Sequence, residues 1–315
     1  MKHPLLACLL PSLVAGGAAA QTAAEAPVPA QAAPEEAASA GAAKSTLAAC
    51  QADRLFPDAF GRRAALEAKG LCFGLTDTNE TLGNTSGGVR RGAIYEGATL
   101  ASIGVDLGAA GLWAGGTFNV SAWQLRGHGL STNNLLNLNT ASGIEATPAW
   151  RLFELWYQQN FAGDAISIRI GQMSSDTEFL TSQYAALFTN ASFGWPTLPA
   201  ADLPAGGSAF PLATPGVRVR VVPAETWVIQ GGVFSGSPAG DKPGNPQLAN
   251  RDGLLFPLGP GATWIAELQK TWRPFGLEGS WKFGGWYNTN RYSEIGSPPI
   301  SRWRSRNRTI GASTA

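Results

Sequence analysis

The sequence predicts an all-β protein, and within that class a transmembrane antiparallel β-barrel with a short N-terminal helix. Three observations point to it: apolar and polar residues alternate with period two along many segments, short and long joins alternate between those segments, and the chain is poor in charge. Charged residues make up 14% of the 315 residues, whereas a soluble domain has roughly 25%. So little charge beside 11 Trp, 14 Phe and 39 Gly is typical of a protein with an apolar exterior.

The first 70 residues divide into three predicted parts. Residues 1–20 have a basic start, an apolar stretch and a small-residue cleavage site, as in a secretory signal peptide. Residues 21–45 are mostly Ala, Pro and Glu, which predicts a disordered linker. Residues 46–70 form an N-terminal periplasmic segment with a helix from Asp58 to Lys69, capped by Asp58 and ended by Gly70.

Export places the remaining cysteines, Cys50 and Cys72, in an oxidising compartment. Two thiols there indicate a disulfide rather than a metal site. A zinc site needs about four ligands, and beyond the signal peptide the chain offers one histidine, His128. We therefore expect the disulfide to staple the N-terminal helix, and prefer this to the alternative of a periplasmic plug.

About nine strands are predicted within residues 71–290, beginning near residues 71, 94, 113, 150, 165, 216, 226, 263 and 277. Alternation of this kind produces a sheet with one apolar and one polar face. The apolar positions of the clearest segments are Phe153, Leu155, Tyr157 and Phe161; Ile166, Ile168 and Ile170; Val217, Val219 and Val221; and Leu277, Trp281, Phe283 and Tyr287.

The lengths of the joins separate a barrel from a sandwich. Short joins at residues 108–111, 162–164, 223–225 and 273–276 alternate with long ones at 83–93, 127–149, 173–215 and 235–262. A sandwich has no reason to collect its long loops at one end, whereas an outer-membrane barrel has short periplasmic turns and long extracellular loops. Aromatic residues near strand ends fit the girdles of such a barrel: Trp113, Trp150, Trp227, Trp264, Trp272 and Tyr287.

Lipid then decides which face points outward. Hydrocarbon does not solvate charge, so the aliphatic positions face out and the polar positions face a water-filled lumen. The sequence therefore predicts a pore, with these charged residues inside it: Glu154, Arg169, Arg218, Arg220, Glu267 and Lys282.

Charge and motifs limit the other classes of function. With 23 basic and 22 acidic residues, the chain lacks the positive field that nucleic acid requires. An enzyme alternative is a carboxylate pair for glycoside hydrolysis, Asp176 with Glu178 or Glu145 with Glu154. Such pairs are common and nothing else marks a catalytic cleft, so we expect no enzyme, no cofactor and no metal.

Several ordered segments resemble one known family, the carbohydrate-selective porins of the OprB type, over about Asp58 to Trp272. The resemblance implies a sixteen-stranded barrel in the Gram-negative outer membrane that admits mono- and small oligosaccharides by facilitated diffusion. It also implies a narrow constriction, formed by inward-folded loops and lined by arginines and carboxylates. The matching segments are LGNTSGG (82–88), GIEA (143–146), RLFELWYQQ (151–159), IGQM (170–173), DTEF (176–179), FTN (188–190), FGWP (193–196) and PLATPGVR (211–218).

The end of the chain departs from this resemblance. Nine strands between residues 71 and 290 are fewer than sixteen, and residues 291–315 form a polar, basic tail that we interpret as aberrant. An open half-sheet leaves an unpaired strand edge in hydrocarbon. We therefore expect either a C-terminally truncated chain or one that assembles with further strands. The sequence leaves open whether the chain forms a homo-oligomer.

Candidate sugar contacts follow from the chemistry of sugars, which present hydroxyls at the edge and C–H groups on the face. Bidentate donors, acceptors and an aromatic plate suit them. The aromatic loop 173–215 is predicted to pack inside the barrel around a core of its own, formed by Phe179, Tyr184, Leu187, Phe188, Phe193 and Trp195. The candidate contacts are Arg169, Arg218, Arg220, Glu154, Glu267, Lys282, Asp176, Glu178, Trp195, Trp123 and Trp156, with Glu145 added by family analogy only.

Two alternatives stay open. In the first, the lumenal charges only pair with one another across a wet lumen and do not touch sugar. In the second, the loop aromatics only hold the loop against the wall. At the level of the whole protein, the partners we expect are outer-membrane lipids and small sugars as transported solutes. The competing function is a secreted or surface sugar-binding, lectin-like β-protein that transports nothing.

Overall fold

The computed structural model describes residues 61–182, 184–259 and 261–290. The predicted signal peptide, the linker, Cys50 and the C-terminal tail lie outside these residues. Among the described residues no helix is long and apolar enough to cross a membrane.

Nine antiparallel strands form one sheet in which every strand pairs with its neighbours in the sequence. Each strand begins within three residues of its predicted start, so the predicted strand pattern is confirmed. The strands are β1 (Leu71–Asn84), β2 (Gly92–Asp106), β3 (Gly116–Gly127), β4 (Ala149–Phe161), β5 (Ile166–Met173), β6 (Thr214–Ala224), β7 (Trp227–Ser235), β8 (Ala262–Trp272) and β9 (Gly279–Asn288).

Short turns and long loops alternate as predicted, and the long loops carry short helices of their own. A π-helix (Ser131–Leu135) follows β3, α2 (Thr197–Asp202) lies between β5 and β6, and α3 (Pro246–Ala249) lies between β7 and β8. All the long loops therefore lie at one end of the sheet, which is the extracellular end of an outer-membrane barrel.

The N-terminal helix is shorter than predicted within the described residues. Helix α1 (Arg63–Glu67) has five residues, and its N-cap, Arg62, makes no side-chain capping hydrogen bond. Gly70 ends the turn with a φ of 75°, and its carbonyl oxygen accepts a 2.7 Å hydrogen bond from the Asp106 N–H. Because this hydrogen bond extends the pairing of β1 with β2, strand β1 begins directly after Gly70. Cys72, in β1, is buried and disulfide-bonded.

The two faces of the sheet differ in what covers them. The long β5–β6 loop, residues 174–213, packs on one face, which we call the inner face; the opposite one is the outer face. Along β5 the outer residues Ile166, Ile168 and Ile170 are 36–54% exposed, whereas the inner residues Ser167 and Arg169 are at most 4% exposed. Phe179 of the loop joins four sheet residues in an apolar cluster: Trp156, Met173, Phe234 and Ile265.

A β-bulge in β4 corrects one predicted face. The β3–β4 register shifts between Val120 and Ala122, so β4 gains an extra residue opposite β3. Phe153, predicted to face outward, is 5% exposed on the inner side, and Arg151 is 1% exposed. A bulge lets two successive positions point the same way, which a strict period of two does not predict.

The outer face of β1–β3 is polar, unlike that of β5–β7. The Arg126 guanidinium pairs with Asp77 at 2.7 Å. Its other N–H groups donate to four neutral side chains of these strands, at distances of 2.6–3.1 Å: Asn79, Tyr95, Thr99 and Gln124. We call this group the outer network. It shows that charge is not confined to the inner face.

Candidate pore-lining site

Two arginines on neighbouring strands share one carboxylate on the inner face. Arg169 of β5 and Arg218 of β6 lie directly opposite each other in the register. Like charges in that position repel. Glu178 of the β5–β6 loop lies between them, with Oε1 bonded to Arg169 Nη1 and Oε2 at 2.8 Å from Arg218 Nε. The carboxylate compensates the repulsion and fixes the loop to the wall.

Neutral side chains complete this cluster, which we call the inner network. Gln158 Oε1 accepts hydrogen bonds from Arg169 Nε at 3.0 Å and from Arg218 Nη2 at 2.8 Å. Ser167 Oγ accepts another from Arg218 Nη1 at 2.6 Å. Each arginine is therefore held by acceptors on two sides, which fixes the orientation of both guanidinium planes.

Trp156 packs against the inner network through its ring. The Arg169 guanidinium carbon lies 3.7 Å from the centroid of its ring, a cation–π contact. The indole N–H donates to Glu154 Oε2 at 3.2 Å, and Glu154 Oε1 accepts from the Ser174 N–H at 3.1 Å. Because Arg169 covers the ring and Trp156 is 4% exposed, this indole positions the arginine.

Three polar side chains of β7–β9 hold the start of the β5–β6 loop. Gln230 Nε2 donates to the carbonyl oxygen of Glu178 at 2.6 Å, and Glu267 Oε2 accepts from the Leu180 N–H at 2.9 Å. Lys282 Nζ donates to the Thr181 carbonyl oxygen at 2.5 Å. Glu267 and Lys282 therefore act on the loop backbone as well as lining the inner face.

Asp176 lies in the same loop but outside the inner network. Its Oδ2 accepts from the Phe210 N–H at 2.7 Å, and its Oδ1 accepts from the Ser174 hydroxyl. Burial raises the pKa of Asp176 above its ordinary value, and these hydrogen bonds offset part of the rise. This carboxyl ties the two ends of the loop together.

The remaining predicted residues lie in several places. Arg220 is half-buried further along the inner side of β6. Trp123 packs edge-on against Phe153 and Phe210, at centroid distances of 5.8 and 5.2 Å. Trp195 donates its indole N–H to the Gly206 carbonyl oxygen at 2.9 Å and packs against the apolar cluster.

Glu145 lies outside the inner network, in the loop after β3. Its Oε1 accepts a 2.5 Å hydrogen bond from the Ser131 N–H at the start of the π-helix. The contacts of Glu145 therefore fold that loop, in the part of the molecule near β1–β3.

The prediction that the β5–β6 loop has a core of its own is wrong for most of the residues named. Phe179 is fully buried, whereas Tyr184, Leu187 and Phe188 are 58–80% exposed and Phe193 is 45% exposed. Phe179 belongs to a cluster with four sheet residues, against which Trp195 packs, whereas Phe188 and Phe193 stack on each other with ring centroids 4.4 Å apart. The sequence shows that the loop is apolar, but not that the wall supplies most of its core.

Arg151 is a buried inner-face residue that the sequence does not predict. Its guanidinium donates to three backbone carbonyl oxygens, those of Arg251 at 3.2 Å, Gln247 at 2.8 Å and Pro211 at 3.4 Å. It thus joins the β5–β6 loop to the β7–β8 loop. Its position follows from the bulge, for which the sequence carries no local signal.

An antiparallel meander with an outer face that is apolar over β5–β7, a charged inner face and a long loop packed on that inner face is the architecture of a β-barrel porin. The model of the carbohydrate-selective porin, OprB family, matches residues 90–299, and the chain belongs to that family. The predicted resemblance is therefore confirmed. Members of this family are outer-membrane proteins of Gram-negative bacteria.

The chain is also similar to two known proteins, one in sequence and one in fold. The chain is 24% identical over 261 residues to the putative porin QuiX of Acinetobacter baylyi, covering 77% of this chain and 57% of that protein. Its fold matches the high pH structure of Pseudomonas putida OprB with a TM-score of 0.65 at 22% identity, covering 74% of this chain and 55% of that one. The chain thus spans little more than half the length of either relative.

Proposed function

We propose that this chain forms the wall and the constriction of an outer-membrane pore that passes mono- and small oligosaccharides by facilitated diffusion. The observation that carries the proposal is the inner network: one loop carboxylate, Glu178, pins the β5–β6 loop to Arg169 and Arg218 on the inner face. A loop fixed inside a barrel narrows it, and long structured loops commonly carry function.

The contacts assign different roles to the three arginines of the constriction. Arg169 and Arg218 are held by Glu178 and Gln158, so they set the loop position and thereby the width of the pore. Arg220, half-buried beside them, extends the same row along β6. A solute passes when its hydroxyls exchange water for such groups without being held too tightly to leave.

Uptake of sugars into liposomes tests the proposal. The chain is refolded into phospholipid vesicles, and swelling rates are measured for sugars from a monosaccharide to a large dextran. We expect fast entry of small sugars and exclusion of dextran, with altered size selectivity in Arg218→Ala/Arg220→Ala. A variant with two arginines removed at the short-turn end, Arg62→Ala/Arg273→Ala, is the control and should behave as the unsubstituted chain.

The same preparation separates the competing function. A lectin-like protein binds sugar without admitting it, stays soluble without detergent and unfolds on heating without a change in detergent-gel migration. A barrel requires detergent and migrates differently before and after boiling. Sugar binding without uptake by a detergent-independent protein contradicts the proposal.

A further inference from the structure

A basic cavity of about 410 Å³ lies at the long-loop end, far along β2 and β3 from the short turns. The β1–β2 loop and the loop after β3 form its walls. No Asp or Glu is among the residues that line it. Its polar lining consists of Arg90, Arg91, Tyr95, His128, Asn133 and Asn134.

The backbone that carries the two arginines is fixed. The Arg90 carbonyl oxygen accepts hydrogen bonds from Asn84 Nδ2 at 2.9 Å and from Asn134 Nδ2 at 3.1 Å, and its N–H donates to the Asn134 carbonyl oxygen at 3.2 Å. Gly88 has a φ of 63°, and a Cβ there would lie 2.4 Å from the same Asn134 oxygen. The loop therefore packs directly on the π-helix, and the cavity wall is preorganised.

The positive charge of this wall is not used within the described part of the chain. Arg90 and Arg91 are exposed, and no side-chain hydrogen bond or ion pair joins either of them to a described residue. Arg126, close by, has all its N–H donors occupied by the outer network. The cavity thus offers two guanidinium groups beside a polar surface that is already satisfied.

The position of the cavity indicates its ligand. Tyr95 lines the cavity, and its hydroxyl belongs to the outer network, donating to Asn79 at 2.6 Å. The cavity therefore adjoins the outer face, at the end that is extracellular in an outer-membrane barrel. On the same face Trp150 is 77% exposed opposite Gln124, as expected of a residue at the membrane boundary. Lipid headgroups of the outer leaflet lie at that height.

We propose that this cavity binds a phosphate group of an anionic glycolipid of the outer leaflet. Arginine matches phosphate geometry through paired N–H donors, and the two exposed arginines with His128 supply donors for its oxygens. Asp77, the one carboxylate of the outer network, is paired with Arg126, and Glu145, in the loop after β3, accepts the Ser131 N–H.

Native mass spectrometry tests this binding. The 315-residue chain in detergent is titrated with diphosphoryl lipid A and with the same lipid stripped of phosphate. We expect retention of the phosphorylated lipid only, and binding about tenfold weaker in Arg90→Gln/Arg91→Gln. Arg62→Gln/Arg273→Gln removes the same charge at the short-turn end and should bind as the unsubstituted chain does.

The outcomes separate the sources of phosphate. Equal binding of both lipids, or equal loss in both double variants, overturns the proposal. Inorganic phosphate that displaces the lipid at similar concentrations shows a site for free phosphate and overturns the lipid assignment. Heat-modified gel migration reports folding. If the double variant does not fold, Arg91→Gln replaces it, and Arg91→Lys, which keeps the charge but lacks the paired donors, should bind more tightly than Arg91→Gln and more weakly than the unsubstituted chain.

Discussion

The inner and outer networks are built from the same groups but differ in burial. In both, an arginine meets a carboxylate of another element, and further N–H groups of the arginine donate to neutral side chains. The inner pairs are 3–12% exposed at their side chains, whereas the outer Arg126 and Asp77 are 28% and 46% exposed. The difference in solvent decides what each pair does for the protein.

A buried ion pair is held in place by the penalty of breaking it. Removing one partner leaves an uncompensated charge away from water, which costs about 3–5 kcal/mol. Removing one partner of an exposed pair costs little stability, since water solvates the charge that remains. The inner network therefore acts as a lock on the β5–β6 loop, whereas the outer network adds modest stability to β1–β3.

The largest expected effect is that of Glu178→Ala. It leaves Arg169 and Arg218 facing each other without a carboxylate, and we expect a loss of about 3–5 kcal/mol in the free energy of unfolding. The loop should also become sensitive to protease. Guanidinium unfolding in detergent and limited proteolysis measure both effects.

Glu225→Ala is the matched control for this prediction, because Glu225 is exposed in the short β6–β7 turn. Its loss of stability should be small. An equal loss in the two variants would remove the distinction between a locking carboxylate and an ordinary surface one.

A smaller effect is expected of Asp77→Asn. The substitution keeps an acceptor for Thr99 but removes the charge opposite Arg126, so we expect a loss of stability much smaller than that of Glu178→Ala. Added salt should weaken the original pair and narrow the difference between the two proteins. Unfolding curves at low and high salt measure this. A salt-independent loss as large as that of Glu178→Ala would mean that lipid or a neighbour desolvates the outer network.

Most of the wall is predictable because period-two alternation is a local property. Ile166, Ile168 and Ile170 alternate with polar residues strictly enough to fix the faces of β5 before any pairing is known. The alternate short and long joins then order the strands into a meander.

The departures come from interactions between distant residues. The bulge that turns Phe153 and Arg151 inward depends on how β4 pairs with β3. The role of Glu178 depends on the register that places Arg169 opposite Arg218. The outer network has no strong signal either, because β1–β3 alternate weakly and their polar residues look like those of any strand.

Asp176 adds a third kind of carboxyl to this comparison, one that is buried and has no cationic partner among the described residues. None of the described arginines or lysines pairs with it, and burial raises its pKa. The folded state then holds the proton more tightly than the unfolded state does. Its contribution to stability is full below the ordinary pKa of Asp, near 3.9, and is lost as the pH rises through the raised value.

We therefore expect Asp176→Asn to remove this loss. The variant should equal the unsubstituted chain at acidic pH and become relatively more stable as the pH rises, because Asn stays neutral and still offers an oxygen to the Phe210 N–H. Unfolding midpoints measured across that range, with Asp164→Asn in the exposed β4–β5 turn as control, test the sign. A variant that instead becomes relatively less stable as the pH rises would show that hydrogen bonds outweigh burial at Asp176.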